Sequence, residues 1–154
     1  MMRALTVRQP WAGAMFIGEG AKRVENRTWN TTMRGTVLIH AGKAIDMDAP
    51  AGLSPLFYSP MEVRGAILGT VKITDSHLEG DACTDACSEV IPGTVTRWAQ
   101  RATYADPRPI YHWVLDEASL FVTPIPCKGA LQWWEPDYST QYLVDLAIAE
   151  RAAR

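Results

Sequence analysis

The sequence predicts an α+β domain in which about five or six strands form a small β-barrel, with short helices at its ends and a C-terminal helix. Short segments rich in β-branched residues recur between turn residues, whereas only two segments show helical periodicity. The chain has 154 residues, of which 47% are hydrophobic and 21% are charged. This length and composition are typical of one globular domain, so residues 1–154 are treated as a single domain.

The strands are predicted from apolar or alternating runs of residues. They cover residues 4–9, 23–29, 35–40, 64–75 and 111–122. In the fourth of these segments, Gly65 and Gly69 indicate a bend or bulge. Residues 46–58 are predicted to be a loop with short helical turns and residues 124–129 a turn-bearing link, because prolines and glycines interrupt both.

Helical periodicity predicts two helices. The first follows Pro10, whose missing N–H costs nothing at the first helical position. Its buried stripe has the spacing i, i+3, i+4, i+7 and consists of Trp11, Ala14, Met15 and Gly18. The second helix closes the domain over about residues 139–152. Its narrow apolar side is predicted to consist of Leu143, Leu146 and Ala147.

The cellular compartment is predicted from what the sequence lacks. It contains no apolar run long enough to cross a membrane and no secretory signal at its start. Its three cysteines therefore indicate a reducing compartment rather than a disulfide framework. We expect a cytoplasmic protein without a membrane partner.

Charge is unevenly distributed along the chain. Residues 1–43 carry seven Lys and Arg residues against two Asp and Glu residues, a local balance of +5. Residues 44–106 have a balance of −5 and residues 107–154 a balance of −2. The basic N-terminal third indicates one positive face or cleft, and chance clustering on a solvated surface is an equally simple interpretation.

The densest group of polar and aromatic residues lies between Arg8 and Lys43. Within it, Arg23, Glu25 and Arg27 fall on one face of the second predicted strand. A glutamate between two arginines stays ionised and can orient a guanidinium group toward a phosphate or a base edge. An exposed strand with ordinary surface ion pairs has the same pattern.

An ordered series of motifs runs through most of the chain. Leu5-Thr-Val-Arg-Gln-Pro-Trp-Ala12 is followed by Gly20-Ala-Lys-Arg-Val-Glu-Asn-Arg27, which has the form G-x-K-x-x-E-x-R. The later members are Thr28-Trp29, Arg34-Gly35, His40-Ala41, residues 65–71 and residues 126–134. Over about residues 4–134, this series resembles the ASCH domain family (activating signal cointegrator homology) of the PUA-like superfamily.

The resemblance implies a PUA-like β-barrel that binds RNA or a nucleotide-like ligand in a cleft around the motif. Single-stranded RNA is the expected partner and DNA an alternative. The implied ligand-binding residues are Arg8, Gln9, Lys22, Glu25, Arg27, Trp29, His40 and Lys43. Lys22 and Arg27 would neutralise phosphate, and Trp29 or Trp133 would stack on an unpaired base.

The resemblance also allows an enzyme in the same cleft, with Lys22, Glu25 and His40 as candidate catalytic residues. Some small ASCH proteins resemble amidohydrolases of acylated cytidines with a Lys–Thr–Glu arrangement, but this sequence has Glu25 where they carry the threonine. A ribonuclease would use His40 as a general base on a ribose 2′-hydroxyl. The other interpretation of His40 is a buried histidine at the end of a strand with satisfied hydrogen bonds.

Two further features of the sequence bear on function. The acidic stretch 75–89 would be the contact surface of a protein–protein adaptor, the third alternative. Cys83 and Cys87 are spaced i, i+4, and His77 precedes Cys83 by six residues. Because a closed zinc site needs four ligands, we predict no metal site and no cofactor. Sequence signatures of nucleotide hydrolases, serine hydrolases and zinc proteases are also missing.

Overall fold

The computed structural model of the protein describes residues 1–50, 53, 59–81 and 83–154. It confirms the α+β class. The strands are β1 (Ala4–Gln9), β2 (Val24–Arg27), β3 (Gly35–Ile45), β4 (Ala66–Leu78), β5 (Tyr111–Pro126) and β6 (Trp133–Trp134). The α-helices are α1 (Trp11–Ala14) and α2 (Tyr138–Ala152), and short 3₁₀ turns span Ser59–Met61 and Asp85–Ser88.

The six strands form one sheet in the order β2-β5-β4-β3-β1-β6. β1 runs parallel to β3, and the other neighbouring strands are antiparallel. Within the described residues, no hydrogen-bonded pairing joins the edge strands β2 and β6. The predicted barrel is therefore not closed by backbone hydrogen bonds.

Indole rings bring the two ends of the sheet together. Trp113 of β5 is stacked on Trp133 of β6, with ring centroids 5.5 Å apart and ring planes at 13°. Trp29, which follows β2, meets Trp113 edge-on at 4.6 Å and Trp133 at 6.4 Å. The sheet is therefore rolled, and aromatic packing joins its ends at a seam that has no strand pairing.

Two elements differ in length from the sequence prediction. α1 ends at Ala14 instead of continuing to Gly18, and the Lys22 N–H bonds back to the Ala14 carbonyl at 2.9 Å. β5 continues through Pro124 and Pro126, which the sequence assigns to a link. β2 pairs with only four residues at the start of β5, so the far part of β5 has a free edge where proline removes no ladder hydrogen bond.

The main core is formed by β1, β3, β4 and β5 together with α1. Its buried residues include Leu5, Val7, Met15, Val37, Ile39, Val71, Ile73 and Trp113. α2 packs on a second cluster through Val144 and begins at the N-cap Asp137, whose side chain accepts a hydrogen bond from Thr140 N at 2.7 Å. The predicted apolar side of α2 is wrong at Leu143 and Leu146, which are half exposed, because docking on β5 selects Val144 instead.

Two remaining predictions concern membranes and the long loop. No helix in the described part of the chain is long and apolar enough to span a membrane. Of the loop predicted at residues 46–58, residues 51, 52 and 54–58 lie outside the described residues.

Gly69 lies at a close approach of two strands. The register of β4 against β5 shifts between Ile67 and Gly69, which agrees with the bend that the sequence predicts there. A Cβ atom at Gly69 would collide with the Ser119 carbonyl oxygen and lie 3.0 Å from Leu120 Cα, and both of these are backbone atoms. Any larger residue must therefore separate β4 from β5.

Gly69→Ala is expected to lower the free energy of unfolding by about 1–3 kcal/mol, because the added methyl group pushes β5 away from β4. Urea unfolding followed by tryptophan fluorescence measures the loss. Gly42→Ala is the matched control, since a Cβ there would meet first the Thr6 methyl group, at 3.2 Å, on a side chain that can move. Equal unfolding midpoints for the two variants would contradict the close approach.

Candidate functional site

A cavity of about 760 Å³ lies beside the G-x-K-x-x-E-x-R motif. Its wall comes from β1, β2, the end of β3 and two later segments within residues 91–100 and 130–132. Five of the eight predicted ligand-binding residues line it, namely Arg8, Lys22, Glu25, Arg27 and Lys43. The other three, Gln9, Trp29 and His40, do not.

The turn after α1 brings Lys22 next to β2. Gly18 and Gly20 have positive φ angles of 83° and 74°, which glycine adopts without strain, and they reverse the chain direction within a few residues. In β2, Glu25 and Arg27 are two residues apart and therefore fall on the same face of the strand. The sequence predicts Arg23 on this face as well, but Arg23 precedes β2 and pairs with Glu89, and Lys22 takes the position beside Glu25.

Lys22, Glu25 and Arg27 form a buried ion cluster, here named the floor cluster. Lys22 Nζ lies 2.5 Å from Glu25 Oε2, and Arg27 Nε lies 3.0 Å from Glu25 Oε1. Only 3% of the Lys22 surface and 6% of the Glu25 surface are exposed. Each carboxylate oxygen contacts its own cation, and two cations with one anion leave a net charge of +1.

Burial and pairing act in opposite directions on the floor cluster. Burial raises the pKa of the Glu25 carboxyl group, but the charges and hydrogen bonds of Lys22 and Arg27 outweigh this effect and hold the pKa below its usual value. Burial lowers the pKa of the Lys22 ammonium group, and its pairing with Glu25 opposes this only in part. Glu25 is therefore ionised at neutral pH and fixes the positions of both cations.

Arg27 is held from three sides. Its Nη2 donates to the Thr6 carbonyl oxygen at 3.1 Å, and its Cζ lies 5.9 Å from the centre of the Trp113 ring. The third contact is the ion pair with Glu25, in which the buried Nε–H is not aligned for a straight hydrogen bond. These contacts fix the guanidinium group, so the Arg27 side chain keeps little rotamer freedom.

Two tryptophans stand in the cavity wall. The rings of Trp11 and Trp98 meet edge to face with centroids 6.2 Å apart, and Trp11 Nε1 donates to Asp46 Oδ2 at 2.8 Å. Trp98 is buried, and its Nε1–H has no acceptor among the described residues. A buried donor beside a cavity can be satisfied by a ligand. Sequence reasoning missed Trp98, for which the only signal is a tryptophan next to Arg97 in a polar segment.

The cavity has an excess of positive charge. The cations that line it are Arg8, Lys22, Arg27, Lys43 and Arg97, and the anions are Glu25, Asp46 and Asp48. Arg8, Lys43 and Arg97 are exposed, so they form a cationic rim above the buried floor cluster. The basic N-terminal third supplies all of these cations except Arg97, which comes from the acidic middle third.

Gln9 lies outside the cavity and is engaged in the fold. Its Nε2 donates to the carbonyl oxygens of Pro60 at 2.7 Å and Val63 at 2.6 Å. Its Oε1 accepts from Gly13 N at 2.9 Å, and the residue is 1% exposed. Gln9 thus ties α1 and the chain around the first 3₁₀ turn to β1, and its amide does not reach the ligand cavity in which the sequence places it.

His40 is also outside the cavity, with both ring nitrogens engaged. Nε2 lies 2.9 Å from the Cys127 carbonyl oxygen, which can only accept, so Nε2 carries the proton. Nδ1 therefore accepts from Thr6 Oγ1 at 3.3 Å, and this hydroxyl accepts in turn from Trp134 Nε1 at 3.1 Å. Burial lowers the pKa of His40. These contacts match a neutral, satisfied histidine rather than a general base in the cavity.

Trp29 and Trp133 belong to the seam of the sheet. The Trp29 carbonyl oxygen accepts from Trp113 Nε1 at 3.3 Å, and Trp133 Nε1 donates to Thr31 Oγ1 at 3.1 Å. Both tryptophans are partly buried against the main core. Their rings pack on each other and on Trp113, and neither tryptophan lines the cavity where the resemblance implies that they stack on a base.

The floor cluster has no nucleophile beside it. Across the residues that the structure describes, no hydroxyl or thiol group is hydrogen-bonded to Lys22 Nζ or to the Glu25 carboxylate. The Lys–Thr–Glu arrangement of the amidohydrolases is therefore not reproduced in the described part of the chain.

Comparison with known families identifies the family of the chain. Residues 5–105 match the family model of the ASCH domain, which is more than half of the chain. The matched region contains the whole floor cluster, the cationic rim and both tryptophans of the cavity wall. No curated protein matches the chain significantly.

Glu25→Gln is expected to lower the free energy of unfolding by about 3–5 kcal/mol, because it leaves the buried Lys22 and the partly buried Arg27 without a counter-charge. Urea unfolding at neutral pH measures the loss. Glu89→Gln is the control, since Glu89 pairs with Arg23 at 2.8 Å in a partly exposed ion pair. We expect that control to lose only about 0–1 kcal/mol, and equal losses would contradict the burial of the floor cluster.

The lowered pKa of His40 makes a prediction about pH. His40 binds its proton at a higher pH in the unfolded chain than in the folded one. The contribution of His40 to the free energy of unfolding is therefore fully present above the ordinary pKa of 6.5. It is lost as the pH falls toward the lowered pKa of the folded protein. His40→Gln removes this contribution, and its free energy of unfolding should fall less steeply than that of the wild type below about pH 6.5. Urea unfolding at a series of pH values tests this, and parallel pH profiles would contradict it.

Proposed function

Because the chain belongs to the ASCH domain family, whose PUA-like fold is associated with RNA, we propose that it binds single-stranded RNA or a nucleotide-like ligand in the cavity above the floor cluster. One observation carries the proposal: two fixed cations share a single carboxylate in a buried position at a cavity of about 760 Å³.

The floor cluster supplies an anion site. Glu25 neutralises one of its two cations, so one positive charge remains in a poorly solvated position. Charge–charge attraction is stronger there than in bulk water, and a phosphate oxygen can accept charge-assisted hydrogen bonds from Lys22 and Arg27. Because Glu25 prevents the two cations from moving apart, the site exists before the ligand arrives.

The cavity wall suits the rest of a nucleotide. Cavities that enclose small ligands have volumes of about 300–1,000 Å³, and this one falls within that range. The Trp11 ring, which meets Trp98 edge to face in the cavity wall, offers an aromatic surface to a base. A phosphate on the floor cluster and a base against these indoles is the arrangement that we propose.

The cationic rim extends the site beyond one nucleotide. Arg8, Lys43 and Arg97 are exposed on different segments around the opening, where neighbouring phosphates of a strand would pass. Contacts of this kind depend on salt, because binding releases the counterions condensed on the nucleic acid. The rim therefore favours an oligonucleotide over a free nucleoside, which carries no phosphate.

The alternatives have less support. A hydrolase of the Lys–Thr–Glu type would need a hydroxyl nucleophile beside Lys22, and no hydroxyl group of the described residues is hydrogen-bonded to Lys22 Nζ. An adaptor surface at residues 75–89 would use free carboxylates, but three of the five acidic residues are engaged: Asp75 contacts His77, Glu79 accepts from Ala102 N and Glu89 pairs with Arg23, which leaves the exposed Asp81 and Asp85. RNA binding without turnover therefore remains the function that the geometry favours.

The double variant Arg8→Gln/Lys43→Gln is expected to weaken binding of a labelled single-stranded RNA and to flatten its salt dependence. Each phosphate that a cation neutralises on a single strand contributes about 0.7 to the slope of log K against log salt, so removing two cations should reduce the slope by about 1.4. Fluorescence anisotropy at several salt concentrations measures this change. Lys72→Gln is the control, because Lys72 pairs with Glu117 on β4 outside the cavity.

The same samples decide between binding and catalysis. Chromatography after incubation with RNA, single-stranded DNA of the same sequence and acylated cytidine should show no new product. Products that disappear in Lys22→Ala would contradict the proposal and make the cavity catalytic. If binding does not depend on salt, or if the rim variant and the Lys72→Gln control have equal effects, the cationic rim does not take part in RNA binding.

A further inference from the structure

A second cluster of reactive side chains lies away from the cavity. The ligand-type atoms of His77, Cys83, Cys87 and His112 all lie within 4.8 Å of one another. His77 on β4 and His112 on β5 are directly opposite each other in the strand pairing. Cys87 belongs to the 3₁₀ turn Asp85–Ser88, and Cys83 shortly precedes that turn. Sequence reasoning found three of these residues and missed His112, which only strand pairing brings to the others.

The distances in this cluster are those of ligands around one metal ion. Cys87 Sγ lies 3.4 Å from His77 Nε2 and 3.7 Å from His112 Nδ1. In a tetrahedral zinc site with Zn–S bonds of about 2.3 Å and Zn–N bonds of about 2.0–2.1 Å, neighbouring ligand atoms are separated by about 3.3–3.8 Å. Cys87 Sγ is therefore already as far from each histidine nitrogen as two corners of such a tetrahedron, and the remaining ligand atoms lie within 4.8 Å of one another.

Hydrogen bonds orient both histidines for coordination. His77 Nδ1 lies 2.7 Å from Asp75 Oδ2, and His112 Nε2 lies 2.6 Å from the Gln100 carbonyl oxygen. Both partners are acceptors, so these two nitrogens carry the protons. The opposite nitrogens, His77 Nε2 and His112 Nδ1, keep their lone pairs and are the ones next to Cys87. A carboxylate or carbonyl group behind each imidazole is the usual arrangement at zinc.

Burial and access also fit a metal ion. Cys87 and His112 are buried, His77 is 9% exposed and Cys83 is exposed. A cavity of about 250 Å³ is lined by Cys83, Cys87 and His112 and gives an ion a path to the cluster. Without a metal ion, the lone pairs of His77 Nε2 and His112 Nδ1 would have only a weak S–H donor as their partner.

From this geometry we infer that His77, Cys83, Cys87 and His112 bind one Zn²⁺ ion in a tetrahedral His₂Cys₂ site. Two thiolates and two imidazoles select zinc over magnesium and calcium, which prefer oxygen ligands. Four protein ligands fill the coordination sphere, so the site is structural and leaves no position for a substrate.

The zinc site would fix the segment that follows β4. Cys83 and Cys87 lie in this segment and both histidines lie in the sheet, so the ion would join the segment to β4 and β5. The same segment continues to Trp98 in the wall of the cavity. The inference does not depend on what that cavity binds, because its test measures the metal alone.

The test is the metal content of purified full-length protein kept under reducing conditions. We expect about one zinc ion per chain in the wild type and in Cys127→Ser, whose cysteine lies outside the cluster. Cys83→Ser and Cys87→Ser should lose the ion on dialysis against a chelator. Cys83 is exposed, so its replacement does not disturb packing, and far-ultraviolet circular dichroism verifies the fold.

Two further measurements distinguish zinc held by these four residues from zinc bound nonspecifically at the surface. With Co²⁺ in place of zinc, the wild type should show strong tetrahedral d–d bands and a thiolate charge-transfer band that falls by about half in Cys83→Ser. Asp75→Asn should weaken zinc affinity by about 10–100-fold through the orientation of His77, whereas Asp81→Asn, an exposed neighbour, should not change it.

Three results would overturn the inference. The first is wild-type protein that takes up no zinc under reducing conditions. The second is zinc that survives in both cysteine variants, which identifies an adventitious ion only. The third is a Cys83–Cys87 disulfide in protein purified with reductant, because oxidised sulfur cannot supply the two thiolate ligands.

Discussion

The Glu25 carboxylate is the constraint on which the cavity depends. It is buried between Lys22 and Arg27, and each of its oxygens contacts one of them. The turn after α1, β2 and, through Arg27, the backbone of β1 at Thr6 are thereby held in one arrangement. A single carboxylate holds both cations in place, and one positive charge of the cluster remains uncompensated. Under the proposed function, the same three side chains would serve both stability and binding.

The six tryptophans fall into two groups, one packed within the fold and one in the wall of the cavity. Trp29, Trp113 and Trp133 join the two ends of the sheet, and Trp134 completes a hydrogen-bonded chain to Thr6 and His40. Trp11 and Trp98 remain in the wall of the cavity. Aromatic packing at the seam lets a sheet with two unpaired edges enclose a core. It also removes those rings from any role in stacking on a base.

The segment between β4 and β5 connects the two proposals without making one depend on the other. This segment carries Arg97 and Trp98 into the cavity wall. Asn26 of β2 also holds this segment, donating to the Trp98 carbonyl oxygen at 2.9 Å and accepting from Gln100 N at 2.9 Å. At its other end stand Cys83 and Cys87. A metal ion there would stabilise a wall that few elements of regular structure support.

The sequence by itself determined the α+β class, the position of most strands and the placement of Glu25 and Arg27 on one face of a strand. The same spacing also selected Arg23, which pairs with Glu89 instead, whereas Lys22 reaches Glu25 from the turn before β2. Tertiary structure alone decided the rest. Gln9 and His40 carry polar groups suited to a ligand, but partners far along the chain use those groups in the fold. Trp98 and His112 gained their positions from packing and strand register, because contacts between distant residues follow from how the whole sheet rolls rather than from any local pattern.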